Sequence, residues 1–526
     1  MTPFLQFRMW ARRAPGAERL LVAGLLAALV GLLGWALVPV GAAGGTPVSS
    51  VGEGSGGPTG EAAPSGSSSS VRPGMPSTKA GTTGTATGAR PGGTPKGVGA
   101  GSVPLGPSVT SNRPQVTGPG PCAPSGSTDQ GATGSEVHID VVVADLAGQA
   151  GNSLVGIPSA AEQQEIYTAA IDGVNKEGGI RCRKLVPKFY KANPLDQSSL
   201  EAICLDIVSD KPFAVLDTGL SSPVGSPAPR DCPAAHKIPT FDSASLGQAE
   251  VDKFAPYLFS YYPAAEKTVH DAILASQALG FFKGAAVVGV LMQQCNPHLN
   301  TISLRDLAAL GFTGKKLKTF DFGCPNGIPA PQDVQSAVLQ FRNAGVTHVF
   351  DDAGVYESYF SRQAAAQGYK PRYSVGDQGT IALWNNPNFG PDPRNFDGGL
   401  AITGTRYGEE GTPGSKKTAQ SLRCDRAMRA KGLPTTWDSP DGFSGVACAE
   451  RYMLVHAGNS GPTLRRDQLA AGLAALGTVD LPYPAGPAAF GSQRGQIGGG
   501  FWRAATFHQA CKCFQVSRTQ FTPDFR

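Results

Sequence analysis

Four short polar clusters each close an apolar run: Asp217-Thr218-Gly219-Leu220-Ser221-Ser222, Asp242-Ser243-Ala244-Ser245, Asp351-Asp352-Ala353-Gly354-Val355-Tyr356 and Gly376-Asp377-Gln378-Gly379. Hydroxyls and exposed N–H groups at helix starts suit a carboxylate, so Ser221, Ser222, Ser243 and Ser245 are candidates to hold one. The same serines read equally well as caps of the helices that follow. Asp352 and Asp377 could pair with an ammonium group, although Asp351 and Asp352 also read as solvated groups or helix caps. Tyr262, Tyr356 and Trp384 offer flat apolar area that could wall a small molecule or belong to a core.

Reactive constellations do not emerge. There is no G-x-S-x-G, no Walker loop and no G-x-G-x-x-G behind the first strand, and Gly442-Phe443-Ser444-Gly445 lacks the second spacer. Asp351 and Asp352 are adjacent and point differently, which makes them a poor general acid/base couple. The expectation is a protein that binds rather than catalyses, with no cofactor. Metal is not expected either: no CxxC or HExxH is present and the seven His are scattered. Lys+Arg 45 against Asp+Glu 40, without a dense basic run in the folding part, argues against a nucleic-acid partner.

Clusters of this kind need elements that end at one edge. From Val137 the chain alternates β-branched runs with amphipathic stretches. Ile139 to Ala144 predicts a buried strand; Ser159-Ala160-Ala161-Glu162 is a capping box opening a helix that Gly178-Gly179 stops. Strands at Leu185–Tyr190, Phe213–Leu216 and Ile238–Phe241 continue the rhythm, with a helix through Leu200, Ile203 and Ile207. A second series follows Tyr257-Leu258-Phe259-Ser260: strands at Ala285–Met292, Leu317–Phe322, Val346–Phe350 and Tyr373–Val375 are separated by helices. Beyond it come the strand Leu400–Thr403, helices at Phe443–His456 and through Leu469, Leu473 and Leu476, and a β-rich tail from Phe501 to Val516. Such alternation implies α/β architecture with two parallel sheets and right-handed crossovers. In it the polar clusters fall beyond strand carboxyl ends, where open parallel sheets bind ligands.

The N-terminal part is of another kind. Leu20 to Val40 carries no charge and follows Arg8, Arg12, Arg13 and Arg19, so residues 1–19 read as a short cytoplasmic segment and 20–40 as a membrane anchor or a cleaved signal segment. Residues 41–135, almost all Gly, Ser, Thr, Pro and Ala, read as a disordered linker. The rest would then be extracytoplasmic, where ten Cys suggest disulfides. Cys295 and Cys324 each follow a predicted strand at its carboxyl end and are the preferred pair. Cys204 with Cys232 and Cys424 with Cys448 are looser candidates, and Cys511 and Cys513, sharing one face of a strand, are expected to pair elsewhere.

Several stretches resemble the type I periplasmic solute-binding proteins of the branched-chain amino-acid (Leu/Ile/Val-binding) kind. Asn175-Lys176-Glu177-Gly178-Gly179-Ile180 resembles that family's N-x-x-G-G-I turn, and Pro256-Tyr257-Leu258-Phe259-Ser260 its P-Y-x-F-R segment at the first crossing between lobes. Gln363 to Pro371 resembles the segment before a second-lobe carboxylate, and Ala457-Gly458 the end of a long late helix. The resemblance implies two Rossmann-like lobes joined by a three-segment hinge: lobe 1 over 136–257 and 396–484, lobe 2 over 258–395 and 485–526. It implies capture of a small polar ligand, an amino acid or similar, for an ABC permease; the alternative is a ligand sensor or envelope interaction protein. Asp377 matches the family position that meets the amine. Ser260-Tyr261-Tyr262 departs from the family's usual Arg then Thr.

Overall fold

The computed structural model describes residues 126–516 and 522–523, except 147, 195, 219–230, 295, 324–328, 353–355, 378–380, 386–387, 440–441, 462, 485, 487 and 492–496. Residues 1–125, Ser221, Ser222, Cys295 and Cys324 therefore lie outside the described residues, whereas the end of the expected linker, 126–135, is ordered: Ala132 is buried and bridges Val137, and Asp129 accepts the Arg466 N–H at 2.8 Å, so the folded part begins before Glu136. Among the described residues no helix is long and apolar enough to cross a membrane.

Strand β1 (Glu136–Ala144) opens a sheet in the order β2-β1-β3-β4-β5, with β2 Lys184–Ala192, β3 Ala214–Asp217, β4 Thr240–Asp242 and β5 Leu258–Ser260, all parallel. Between them run α1 (Ala160–Lys176) and α2 (Gln197–Asp210). The Ser159/Glu162 capping box starts α1 with both reciprocal bonds made. β1 is apolar at successive positions because both its faces are covered. Val137, Ile139, Val141 and Val143 join one core with Ile166, Tyr167 and Ala170 of α1, whereas Val142 packs with Val215 and with Leu200, Ile203 and Ile207 of α2. Each such aliphatic side chain taken from water contributes about 1.5–3 kcal/mol.

The chain then enters a second sheet through α3 (Ala265–Ala278). Its elements are β6 Val288–Gln293, α4 Pro297–Ala309, β7 Leu317–Phe322, α5 Pro331–Asn343, β8 His348–Asp351, α6 Glu357–Ala366, β9 Arg372–Asp377 and β10 Leu400–Thr403. It returns to the first sheet with α7 (Ala419–Arg429), α8 (Phe443–Ser460), α9 (Leu469–Leu476) and the two-stranded pair β11 (Thr478–Val479) and β12 (Ala488–Ala489). β13 (Phe501–His508) and β14 (Cys513–Val516) complete the second sheet in the order β14-β13-β10-β9-β8-β6-β7, with β15 (Thr522–Pro523) against β13. β13 and β14 are its antiparallel members on that path.

Two lobe boundaries move from their expected places. Leu258–Ser260 hydrogen-bonds β4 and is the fifth strand of the first sheet, so lobe 1 does not end at 257. Leu400–Thr403 pairs with β9 and stays in the second sheet, so the return to lobe 1 begins after residue 403 and not at 396. Both shifts have one cause: a strand belongs where its backbone donors and acceptors are paired, and these two are paired before the chain crosses.

The crossings lie together. The segment after β5 is held against the last one by a Ser260–Ile497 bridge, by Gly498 N–H donating to Ser260 C=O at 2.8 Å and by Gly499 N–H donating to Tyr262 C=O at 3.3 Å. The middle segment meets residues before the last crossing through a Thr405–Pro484 bridge and Arg406 N–H donating to Tyr483 C=O at 2.8 Å. Backbone hydrogen bonds thus tie the first crossing to the last and the middle crossing to the residues that lead into the last.

Cys204–Cys232 and Cys424–Cys448 are bonded, and none of the described cysteines is free. Cys511 and Cys513 bond each other rather than partners elsewhere. Cys513 starts β14, but Cys511 lies in the β13–β14 turn, where Lys512 takes φ 53°, so the two do not share a strand face and the turn folds one sulfur onto the other.

Candidate functional site

Register builds the first wall. Asp217 aligns with Asp242, and Asp242 with Ser260, so the last residues of β3, β4 and β5 lie side by side at the carboxyl edge of the first sheet. Beyond that edge Ser243 donates from its backbone to Asp217 C=O at 3.3 Å, and Ser260 Oγ donates to Ala244 C=O at 2.7 Å. Ser245 Oγ donates to Pro263 C=O at 2.9 Å, tying the loop to the first crossing. Ser243, Ser245 and Thr218 remain partly exposed at this edge, and Tyr262 is buried just behind it. The structure therefore brings Ser243, Ser245 and Tyr262 together.

A layer beneath them was not foreseen. Glu450 of α8 is fully buried and accepts the Tyr167 hydroxyl at 2.5 Å. Its other neighbours include Asp217, Asp242 and the Ser243 hydroxyl, while Tyr167 also meets Thr218. The Tyr167–Glu450 bond thus joins two helices beneath Thr218 and Ser243, whose hydroxyls donate to Val142 C=O at 3.0 Å and to Asp217 C=O at 3.4 Å. Burial pushes the Glu450 carboxyl well above the ordinary carboxylate range; the Tyr167 hydrogen bond opposes this and the negative Asp217 and Asp242 reinforce it. Tyr261, also buried, stacks on Tyr262 at 5.0 Å between centroids, and Tyr483 meets both edge-on at 6.2 and 6.3 Å. Two signals pointed this way: an Asp at the end of two strands, and one Glu inside the apolar run Ala447-Cys448-Ala449-Glu450.

In the second lobe the expected site residues are buried and bonded within their own lobe. Asp377 ends β9 and accepts the Thr403 hydroxyl at 2.6 Å and the Ile381 N–H at 3.3 Å. Asp352 accepts Ser303 Oγ of α4 at 3.2 Å, and burial, then the neighbouring Asp351, push its carboxyl well up. Asp351 caps α6 by accepting the N–H groups of Tyr356 and Glu357, both at 3.0 Å. Tyr356 donates to Gly323 C=O at 3.3 Å with its ring 4.4 Å from that of Phe322. Trp384 lies in the core with Phe396 and Phe514 rather than at an edge. No group of three His, Cys, Asp or Glu among the described residues could hold a metal ion.

No family model matches this sequence, and no curated protein matches it. Solved structures do. A leucine-binding protein from Thermotoga maritima superposes with a TM-score of 0.52 at 12% identity, covering 73% of this chain and 98% of its own. A fatty acid ABC transporter substrate-binding protein from Thermomonospora curvata gives 0.53 at 13%, covering 76% and 95%. An ABC transporter solute-binding protein from R. palustris, in complex with 4-hydroxybenzoate, gives 0.52 at 13%, covering 74% and 98%. With two α/β lobes, parallel-rich sheets and three crossings, this chain has the fold of the type I periplasmic solute-binding proteins.

Proposed function

We propose that this protein is an extracytoplasmic solute-binding protein that captures a small polar ligand, an amino acid or similar, between its lobes and delivers it to an ABC-type permease. The observation that carries the reading is the set of three crossings, which backbone hydrogen bonds tie first to last and middle to the approach of the last, between two sheets whose carboxyl edges end in polar residues. Such a joint lets the lobes rotate while each sheet stays intact. In this reading Ser243, Ser245 and Tyr262 meet the ligand directly, and Asp377, Asp352 and Tyr356 shape the opposite wall. The described solute-binding neighbours support this by fold, and their ligands range from leucine to fatty acid and 4-hydroxybenzoate. The N-terminal apolar run would tether the protein to the membrane, with the Gly/Ser/Thr/Pro-rich stretch as spacer.

The test is a thermal-shift screen of the chain against amino acids, amides and sugars, followed by small-angle X-ray scattering with each hit. A ligand that binds only the folded state raises the unfolding midpoint, and the reading expects a smaller radius of gyration with it. Hits that never compact the protein would overturn capture between lobes.

A further inference from the structure

The bond between Cys511 and Cys513 is set apart by where it lies and how little chain it closes. Cys424 and Cys448 are fully buried and 24 residues apart, and Cys204, also buried, is 28 residues from Cys232. Cys511 is exposed, Cys513 is half-buried, and only Lys512 separates them. So small a ring restrains the unfolded chain less than a loop of 24 residues does. The hairpin has other ties: β14 pairs with β13 from Ala505–Val516 to His508–Cys513, and Gln509 N–H donates to Asp397 at 2.8 Å. Phe514, 1% exposed, anchors β14 in the core with its ring 5.3 Å from that of Phe507. Lys512 is exposed and takes φ 53°, in the left-handed region that a side chain disfavours, so local strain opposes the closed ring.

We propose that the β13–β14 turn is a thiol–disulfide exchange site, at which Cys511–Cys513 passes two electrons to and from an external dithiol while the fold stays intact. Such a site is independent of the capture reading and gives the chain a second, redox activity at an outer strand of the second sheet. In the reducing direction one thiolate of the dithiol attacks the exposed Cys511 Sγ. A new S–S bond forms there, the Cys511–Cys513 bond breaks, and Cys513 leaves as a thiolate beside the cationic Lys512, which favours it. The dithiol's second thiolate then attacks its own partner sulfur in the mixed disulfide and releases Cys511 as a thiolate. The dithiol has given up two protons and two electrons and ends as a disulfide; the two cysteine thiolates take up two protons. Access decides which bond reacts, because exchange requires a thiolate to reach the attacked sulfur, and the buried Cys424–Cys448 bond offers no such approach.

The experiment treats the full-length chain in detergent micelles with dithiothreitol, without denaturant. Free thiols are blocked with N-ethylmaleimide at successive times and the label is located by peptide mass spectrometry. Cys511 and Cys513 should be labelled roughly tenfold faster or more than Cys424 and Cys448, with far-ultraviolet circular dichroism unchanged. Oxidised glutathione should restore the bond once dithiothreitol is removed. A Cys511→Ser, Cys513→Ser double variant should lower the urea midpoint by less than a Cys424→Ser, Cys448→Ser double variant does, which separates an exchangeable bond from a structural one. Labelling no faster than at Cys424 and Cys448 overturns the site, as does a bond that fails to re-form. Loss of the folded signal in step with labelling, or a midpoint loss as large as that of the buried pair, overturns it as well, because the bond would then be holding the fold.

Discussion

Asp140 lies in the middle of β1, opposite Lys188 on β2 and Val215 on β3, and is 3% exposed. Burial raises its carboxyl to about 7, the charge of Asp210 adds to the rise and Lys188 opposes it. Its folded value thus stands above the unfolded one near 3.8, so the folded chain holds a proton that the unfolded chain has released. The stabilisation from this proton is fully present below about pH 4 and is lost as pH rises toward 7. Asp140→Asn keeps the shape and removes the titration. Urea unfolding should find the variant about as stable as the parent near pH 4 and more stable near pH 8; an equal gap at both pH values would show that Asp140 is not the titrating group. Asp377 makes a different case. Because its carboxylate holds Thr403 Oγ1 and the Ile381 N–H in the interior, Asp377→Ala should cost the ligand-free protein about 1–3 kcal/mol. Denaturation without any ligand decides it, and no loss would mean that these bonds are replaced by water.

At the scale of elements, the strands were legible because burial on two faces writes itself as β-branched runs, as in Ile139 to Ala144, and α1 because its capping box and terminal glycines mark both ends. α7 was not legible. Ala419 to Arg429 is mostly polar and arginine-rich, and only Gln420, Ser421, Cys424, Asp425 and Met428 are buried, so it shows no apolar stripe. Tertiary contacts supply what the pattern lacks: Thr418 Oγ1 caps the helix, Lys417 reaches Asp425 at 2.6 Å, and Cys424 is bonded to Cys448 of α8. The site was half legible for a related reason. The polar loops at Asp217–Thr218 and Asp242–Ser245 stood out, but the weight given to their serines overlooked the aspartates, and Glu450 is joined to them only by folding across some two hundred residues. The disulfide gives a direct test of α7. Closing a loop between residues 24 apart restricts the unfolded chain by about 3 kcal/mol, so a Cys424→Ser, Cys448→Ser double variant should lose stability of that order in urea. Hydrogen exchange should then speed first in residues 419–429; uniform exchange across α7 and α8 would show that packing, not the bond, holds the helix.

Across the whole molecule, what the lobes share is the hinge and the charged residues around it. Arg503 of β13 and Glu409 lie 2.9 Å apart and almost fully buried; Arg406, on the middle crossing, reaches Glu409 at 3.3 Å and Asp480 at 3.5 Å. This network runs from the second sheet to the residues that lead into the last crossing. Cutting it at one carboxylate leaves a guanidinium buried, so Glu409→Gln should cost about 3–5 kcal/mol, read as a lower urea midpoint. The crossings themselves approach more closely than side chains allow. A Cβ on Gly499 would stand 2.1 Å from the backbone nitrogen of Pro263 and 2.4 Å from the carbonyl carbon of Tyr262, distances that require backbone to move. On Gly404 it would meet mainly the Pro263 ring carbons, at 2.8 and 2.9 Å, which can yield further. Overpacking commonly costs 1–3 kcal/mol; Gly499→Ala should reach about 3 kcal/mol and Gly404→Ala clearly less. The consequence reaches function through geometry, since a hinge forced apart at Gly499 changes the angle at which the two sheets face each other. Scattering from ligand-free Gly499→Ala should therefore differ from the parent while Gly404→Ala matches it. Equal profiles for all three proteins, together with equal stability losses in the two variants, would show that the first and last crossings do not set the angle between the lobes.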